Sequence, residues 1–248
     1  MTGWVRQWCA WAEEVLEEDY LEYLPRKDGW TLAVEVDFAN NEVGDEGLLA
    51  LLRLLHDHRI AVGVLKLHNN QLGRGAASVL ASWLVETPIA LKELHLSHNF
   101  IPREGAVDIF RAVAFNGAYP LQADGERRAP LWLRIEQNIV HEAGKLLYSA
   151  EGDMKKIRSV QDSGSSAPML CDCSFDCNSK ECMLCTDLEC PVAHVKFMHK
   201  QRRGVELPRT ANRWNWRRDA DAEARKWRVD VSRDLRPKSP ACKRRRGQ

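Results

Sequence analysis

The sequence lacks any apolar run long enough to cross a bilayer, and its N-terminus has no basic-then-apolar signal pattern. It also has no phosphate-binding loop and no nucleophile motif, so we expect a protein that is not an enzyme. Aromatic residues make up only 8% of the 248 residues. We therefore expect a nuclear or cytoplasmic protein that is not secreted, binds no membrane and has no small-molecule substrate.

The formal net charge of +1 conceals an uneven distribution along the chain. Residues 1–149 carry 14 basic and 21 acidic residues, residues 150–195 carry 4 and 8, and residues 196–248 carry 18 and 6. A basic tail on an acidic body indicates a tail that meets phosphate or an acidic partner, with a plain solvated tail as the alternative. The final run Lys243–Arg246 resembles a nuclear localisation signal.

Four stretches of the chain repeat one pattern, in which alternating apolar residues are followed by an asparagine. The spacing is 29, 29 and 39 residues between the shared asparagines, which are Asn41, Asn70, Asn99 and Asn138. Alternation predicts short strands with one buried face. These strands are expected at residues 33–39, 64–68, 93–97 and 132–136. A glycine or alanine and then an apolar stripe of helical spacing predict that each strand is followed by a helix.

This pattern resembles the leucine-rich repeat L-x-x-L-x-L-x-x-N-x-L in the long strand-plus-helix form of the ribonuclease-inhibitor type. The resemblance covers roughly residues 31–150 and implies an α/β solenoid of about four strand–helix repeats. Residues 1–30 are expected to form a helix that caps the first repeat, with a docking helix for another protein as the alternative. The apolar stripe of that helix is expected at Trp4, Trp8, Trp11, Val15 and Leu16.

In leucine-rich-repeat proteins the strand residues that point away from the core form the concave binding surface. Here these residues are polar and mixed in charge, which favours a protein or peptide partner over a lipid. The candidate partner-binding residues are Asp37, Lys66, His68, His95, His98, Trp132, Arg134 and Glu136. The three histidines invite a metal hypothesis, but strands about 4.8 Å apart spread them too widely to hold one zinc well.

Cysteine is concentrated towards the C-terminal side, where six of the eight cysteines fall within residues 171–190. The preceding residues 151–170 are rich in small and polar side chains and are expected to form a linker. Without a secretory signal, such a cluster indicates a metal site more readily than disulfides. Residues 171–199 are therefore predicted to form a small irregular zinc-binding module, because a metal can replace a hydrophobic core in a short segment.

Part of this cluster has the spacing Cys-x7-Cys-x4-Cys-x3-His and resembles the Cys-Cys-Cys-His zinc finger, a small RNA-binding module. The resemblance covers about 18 residues and implies a structural zinc ion with four protein ligands. The predicted ligands are Cys185, Cys190 and His194, with Cys177 or Cys182 as the fourth. Surplus cysteines, namely Cys171, Cys173 and Cys182, leave a second, binuclear site as an alternative, and Cys171 is expected to matter less than His194.

Residues 200–248 are expected to form a basic tail, helical or disordered, in which arginine alternates with tryptophan. Arginine pairs with phosphate and tryptophan stacks on bases, so this composition suits single-stranded RNA. The candidate nucleic-acid-binding residues are Phe197, Lys200, Arg202, Arg203, Trp214, Trp216 and Arg217. Two functions follow: a protein-interaction scaffold that uses the repeats and a structural zinc site, or an RNA-binding adaptor that uses the finger and the tail.

Overall fold

The computed structural model describes residues 3–17, 24–122, 128–161, 169–171 and 190–196. Within these ranges the helices are α1 (Gly3–Glu17), α2 (Asp45–Asp57), α3 (Arg74–Glu86), α4 (Arg103–Phe115) and α5 (Ala143–Gln161). The strands are β1 (Arg26–Lys27), β2 (Trp30–Asp37), β3 (Ile60–Lys66), β4 (Glu93–His95), β5 (Leu121–Gln122), β6 (Arg128–Ala129), β7 (Leu131–Arg134), β8 (Leu170–Cys171) and β9 (Ala193–Lys196). The α/β class predicted from the sequence is confirmed.

Most of the strands belong to one sheet with the order β1-β2-β3-β4-β7-β9-β8. Only β1 runs antiparallel to its neighbour in this sheet, while β5 and β6 form a separate antiparallel pair in the described part of the chain. The predicted strands at 33–39, 64–68, 93–97 and 132–136 overlap β2, β3, β4 and β7, which lie side by side and parallel. The alternation of apolar residues in the sequence therefore identified four neighbouring strands of this sheet.

Alternation along each strand separates a buried face from an outward one. Leu65 and Leu67 are completely buried, as are Leu94 and Leu96 on the next strand, whereas the residues between them are less buried. The buried leucines join the apolar stripes of α2, α3 and α4 in one hydrophobic core. Each helix packs on the next one in the chain, from α1 to α5. The polar outward residues are thereby held on a rigid layer.

In each repeat a glycine or alanine follows the shared asparagine, near the start of the helix. In two of the repeats, the packing around this residue explains why it is small. A Cβ atom added to Gly105 would lie 2.7 Å from the Cβ of Ala77, which is on the preceding helix. At Gly47 an added Cβ would lie 3.1 Å from Val43 Cγ1 and 3.4 Å from Val5 Cγ2 on α1. Glycine therefore lets α4 approach α3 more closely than a larger residue would allow, and at Gly47 it avoids crowding against Val43.

The turn after each strand has the same backbone geometry in all four copies. The residue before each shared asparagine has a left-handed conformation, with φ of 60° at Asn40, 56° at Asn69, 57° at His98 and 58° at Gln137. Asparagine and other short polar residues reach this region at lower cost than branched residues. The turns are thus structurally equivalent although the third repeat is longer than the others.

The shared asparagines bind each turn to the turn before it. Asn70 Oδ1 accepts hydrogen bonds from the backbone N–H groups of Asn41 and Val43, at 3.1 and 2.9 Å. Its amide nitrogen donates to the carbonyl oxygens of Phe38 and Leu67, at 2.9 and 3.0 Å. Asn99 and Asn138 make corresponding bonds in the following copies. The buried amides therefore satisfy backbone groups that the turns leave unpaired.

Helix α1 packs on α2 and buries part of the predicted apolar stripe. Val5, Cys9 and Ala12 are buried, and Trp8 and Leu16 are partly buried against the core. The Trp8 indole meets Phe38 edge-on, with ring centroids 4.9 Å apart, and the Trp4 indole stacks on Phe38 at 6.0 Å. Trp4 and Trp11 are 37% and 41% exposed, so the centre of the buried face lies beside the tryptophan stripe and not on it.

The C-terminal part of the described chain is more closely joined to the sheet than the sequence suggested. Helix α5 continues to Gln161, so the first half of the expected linker 151–170 is helical. Strand β9 pairs in parallel with β7, and the preceding Val192 and the β9 residue Val195 are buried in the common core. These apolar residues cover an edge of β7 that would otherwise lie open. The expected basic tail, 200–248, lies outside the described residues.

Candidate interaction surface

The outward strand face consists of the side chains that alternate with the buried leucines on β2, β3, β4 and β7. Strand pairing aligns one row of this face in the order Asp37, Lys66, His95 and Arg134. The preceding row contains Glu35, Val64, Glu93 and Trp132, and β8 and β9 extend it with Cys171 and His194. Residues far apart in sequence are thus neighbours on one surface, about 4.8 Å apart from strand to strand.

Ion pairs and a histidine hydrogen bond fix several of the polar side chains on the outward strand face. Lys66 Nζ lies 2.6 Å from Glu35 Oε1 and 3.8 Å from Asp37 Oδ2, both on the neighbouring strand. His95 Nε2 lies 3.1 Å from Glu93 Oε2, and the Arg134 side chain donates two hydrogen bonds to Glu136 Oε1, at 2.8 and 2.5 Å. Opposite charges are therefore interleaved across the face, which suits a partner of mixed charge.

The predicted partner-binding residues differ widely in how much of each side chain a partner could reach. Asp37 and His98 are exposed. The half-buried residues are Lys66, His68, His95, Trp132 and Arg134. Glu136 was expected to face a partner, but it is only 1% exposed and its Oε1 is bound by Arg134. A partner could not reach Glu136, so its predicted role is corrected: it holds the Arg134 side chain in place. Its second oxygen, Oε2, is buried without a hydrogen-bond partner.

The histidines on the outward strand face are held in the neutral form. Burial lowers the pKa of His68 to about 4, although the nearby Asp37 carboxylate opposes this shift. Burial and then the Arg134 charge lower the pKa of His95, and burial lowers that of His98. The rings of His68 and His95 lie 6.3 Å apart between centroids, and His68 Nδ1 is buried without a hydrogen-bond partner. Neutral imidazoles leave the face without added positive charge at pH 7.

Acidification is expected to destabilise the protein through His68. Its folded pKa of about 4 lies below the ordinary value of 6.5, so the unfolded chain binds more protons between these pH values. The contribution of His68 to the free energy of unfolding is therefore complete above pH 6.5 and is lost as the pH falls towards 4. We expect His68→Gln to reduce the fall in unfolding free energy over this interval by about 1–2 kcal/mol, allowing for partial exposure of the ring.

Urea unfolding at a series of pH values measures this effect. The matched control is His141→Gln, because His141 is exposed and lies outside the outward strand face. If the free energies of unfolding of the parent and of His68→Gln fell in parallel as the pH is lowered, His68 would not contribute to the loss of stability in acid.

The predicted zinc ligands are only partly within the described residues. Cys190 and His194 are 7% and 1% exposed, and His194 lies on β9 with its ring stacked on Trp132 at 4.5 Å between centroids. The other predicted ligands, Cys177, Cys182 and Cys185, lie outside the described residues. The described ranges by themselves contain no group of three or more metal-ligating side chains. The predicted nucleic-acid-binding residues from Phe197 to Arg217 also lie outside them.

Sequence reasoning overlooked two kinds of residue on the outward strand face. Glu35 and Glu93 were not among the predicted partner-binding residues, and their pairing with Lys66 and His95 depends on side-chain conformation. His194 was read only as a metal ligand, because residues 190–196 contain no copy of the repeat. Its stacking on Trp132 follows from strand pairing between distant segments. No signal in the repeat pattern could have revealed that contact.

Comparison of the chain with protein-family models gives no match, and comparison with curated proteins gives no significant match. No helix in the described ranges is long and apolar enough to cross a membrane.

Proposed function

We propose that this chain is a non-enzymatic interaction protein, built on leucine-rich repeats of the ribonuclease-inhibitor type, that holds a protein partner on the outward strand face. The observation that carries the proposal is a row of polar side chains on four parallel strands, in which Lys66 pairs with Glu35 and Asp37 on the neighbouring strand and Arg134 pairs with Glu136 in its own segment. Such a row presents fixed charges of both signs to a partner, and pre-ordered side chains lose little entropy on binding.

The repeat assignment is supported by equivalent contacts in successive copies. The amides of Asn70 and Asn99, which are buried, and that of Asn138, which is half-buried, each bond to a backbone carbonyl of their own repeat and to one of the preceding repeat. The preceding residues share the left-handed backbone conformation. Equivalent bonds in consecutive strand–turn–helix units are the property that defines a repeat architecture, because each unit completes the core of its neighbour.

A structural zinc ion in the C-terminal cysteine cluster completes the proposal. Cys185, Cys190 and His194 are its proposed ligands, with Cys177 or Cys182 as the fourth. Thiolates and imidazole are the ligands that zinc prefers, and a site filled by protein ligands is structural rather than catalytic. We place the protein in the nucleus or cytoplasm. RNA binding by this cluster and the basic tail is the alternative that the experiment below distinguishes.

Two substitutions on the outward strand face test the proposed function. Asp37→Lys reverses an exposed charge, and His98→Asp introduces a charge at a left-handed position that aspartate tolerates. Arg134 is a poor probe because its loss would leave the buried Glu136 carboxylate without its cation. Arg53→Glu, on the exposed side of α2, is the matched control.

We expect the double variant Asp37→Lys/His98→Asp to lose about 10-fold or more of its affinity for a partner protein retained from cell extract, a change of about 1.4 kcal/mol. Its melting temperature should stay close to that of the parent, and Arg53→Glu should bind as the parent does. If the double variant retained the partner protein as well as the parent does, the proposal would be overturned. If ribonuclease and moderate salt abolished the binding of that partner to the parent, the RNA-binding alternative would be favoured instead.

A further inference from the structure

Strand β2 lies near one end of the sheet and is paired along only part of its outer edge. The short strand β1 pairs with its first two residues, and the N–H group of Leu32 donates to the carbonyl of Pro25 at 2.8 Å. On the inner edge β3 pairs with β2 along almost its whole length, from Thr31 to Asp37. Residues 33–37 therefore have no strand partner on the outer edge within the described part of the chain.

An open strand edge is a place where an extended peptide can add to a sheet. Alternate residues of a strand direct their N–H and C=O groups towards the same edge, so about half of residues 33–37 present theirs outwards. A peptide that pairs with these groups is held in a direction and register that the ladder fixes. The open stretch ends at Ala39, whose N–H group donates to Asp37 Oδ1 at 2.9 Å. The edge therefore has a defined length, between the bonds at Leu32 and at Ala39.

The indoles of α1 lie beside this edge, on the buried side of the sheet. Phe38 directly follows β2, and Trp4 stacks on it at 6.0 Å while Trp8 meets it edge-on at 4.9 Å. Trp11 lies 6.3 Å from Trp8 between ring centroids, and Trp4 and Trp11 are both more than a third exposed. A strand added outside β2 directs alternate side chains towards the side that Phe38 faces. Apolar side chains at those positions would cover the exposed indoles.

The opposite side of the same edge is acidic. Glu35 and Asp37 belong to the outward strand face, and their side chains are 42% and 47% exposed. Lys66 on β3 pairs with both carboxylates, but its own side chain is only 22% exposed. Carboxylates therefore dominate the accessible charge here, and a partner with basic side chains on this side complements them.

We propose that the open edge of β2 takes an extended segment of the partner protein as a further strand, in which basic and apolar residues alternate. The apolar side chains pack on the indoles of α1, and the basic side chains meet Glu35 and Asp37. Backbone hydrogen bonds supply affinity, and the alternation of side chains supplies specificity. This inference rests on the proposed function, names the form and chemistry of the partner segment, and adds the sheet edge to the surface that the partner contacts.

Short synthetic peptides and the full-length chain test the inference. The first probe is blocked at both ends and alternates lysine with valine. One comparison peptide replaces lysine with glutamate, and another replaces valine with serine. Two further peptides keep the first sequence but carry N-methyl groups on all lysines or on all valines, so each lacks the N–H groups along one edge. Calorimetry measures binding, and amide hydrogen exchange of residues 33–37 reports where the peptide lies.

We expect the lysine–valine peptide to bind at least about 10-fold more tightly than the glutamate or serine peptide, because only it matches both the carboxylates and the indoles. The bound peptide should slow amide exchange in residues 33–37, since its strand excludes water from those N–H groups. One N-methylated peptide should lose binding and the other should keep most of it, because a strand at the end of a sheet uses only one of its own edges.

Two double variants of equal charge separate local from overall electrostatics. Glu35→Gln/Asp37→Asn removes both carboxylates and keeps oxygen atoms that accept their hydrogen bonds. Glu86→Gln/Glu104→Gln removes the same charge from exposed residues on α3 and α4. We expect the first variant to bind the lysine–valine peptide about 10-fold more weakly and the second to bind as the parent does. Trp11→Ser should also weaken binding, because it removes an exposed indole beside the edge.

The outcomes separate this inference from the proposed function. If the lysine–valine peptide did not bind, bound no better than the glutamate peptide, or left amide exchange in residues 33–37 unchanged, the inference would be overturned. The proposed function would stand in that case if Asp37→Lys/His98→Asp still lost its partner protein. If sedimentation showed a dimer whose formation protects the same amides, a second copy of the chain would be the occupant, and the inference would also be overturned.

Discussion

Asn99→Ala is expected to lower the free energy of unfolding by about 3–5 kcal/mol. Asn99 is only 4% exposed, and its side-chain oxygen accepts a hydrogen bond of 3.0 Å from the N–H group of Leu72. Its amide nitrogen donates to the carbonyl oxygens of Leu67 and Leu96, at 2.9 and 3.0 Å. Alanine would leave these three backbone groups buried and unpaired, at a cost of about 1–3 kcal/mol for each group before relaxation.

The first repeat supplies a matched control for this substitution. Asn41 occupies the corresponding position but is exposed, and its side chain donates one hydrogen bond of 2.8 Å to the carbonyl of Ala39. Water can replace that bond, so we expect Asn41→Ala to cost less than about 1 kcal/mol. Urea unfolding of both variants and the parent measures the difference. Equal losses at the two positions would mean that the asparagine bonds do not join consecutive turns as described.

Leu96→Ala is expected to cost about 2–5 kcal/mol of unfolding free energy, as truncation of a buried leucine generally does. Leu96 is completely buried and lies in the core between α3, α4 and the sheet, just beyond the end of β4. Neighbouring strands and helices hold the surrounding backbone, so the cavity cannot collapse fully. Val34→Ala on β2 is the control, since Val34 is 85% exposed and its truncation removes little burial.

Thermal and urea unfolding of the two variants test the register of the strands. A one-residue change of register would move Leu96 to the outward strand face, because side chains alternate along a strand. In that case Leu96→Ala would unfold like the parent. A large loss for Leu96→Ala beside a small loss for Val34→Ala would show that the cost of truncation follows burial, with Leu96 in the core as the register requires.

The candidate site could be derived from the sequence where it depends on alternation alone. Lys66 and His95 lie between buried leucines, so their outward direction follows from the positions of their immediate neighbours. The conformations of their side chains could not be derived in this way. Whether His95 meets Glu93, or Arg134 covers Glu136, depends on rotamers that only packed neighbours select.

The N-terminal helix shows a second limit of pattern reasoning. The tryptophans of α1 have helical spacing and large apolar surfaces, so they were expected to face the core. The fully buried residues are Val5, Cys9 and Ala12, while Trp8 is partly buried against Phe38 and Trp11 is 41% exposed. Helical spacing identifies the apolar side of a helix, but which residues lie at the centre of the contact depends on how the neighbouring helix packs.

The strand–turn–helix units can be read from the chain, because alternation, the asparagine and the following small residue act within one unit and its immediate neighbour. What lies beyond the last unit depends on contacts that form only in the folded protein. The pairing of β9 with β7, the stack of His194 on Trp132 and the approach of Cys171 to His194 join segments with no shared pattern. Such contacts depend on which apolar surface best covers an open sheet edge, and that edge exists only after the units have assembled.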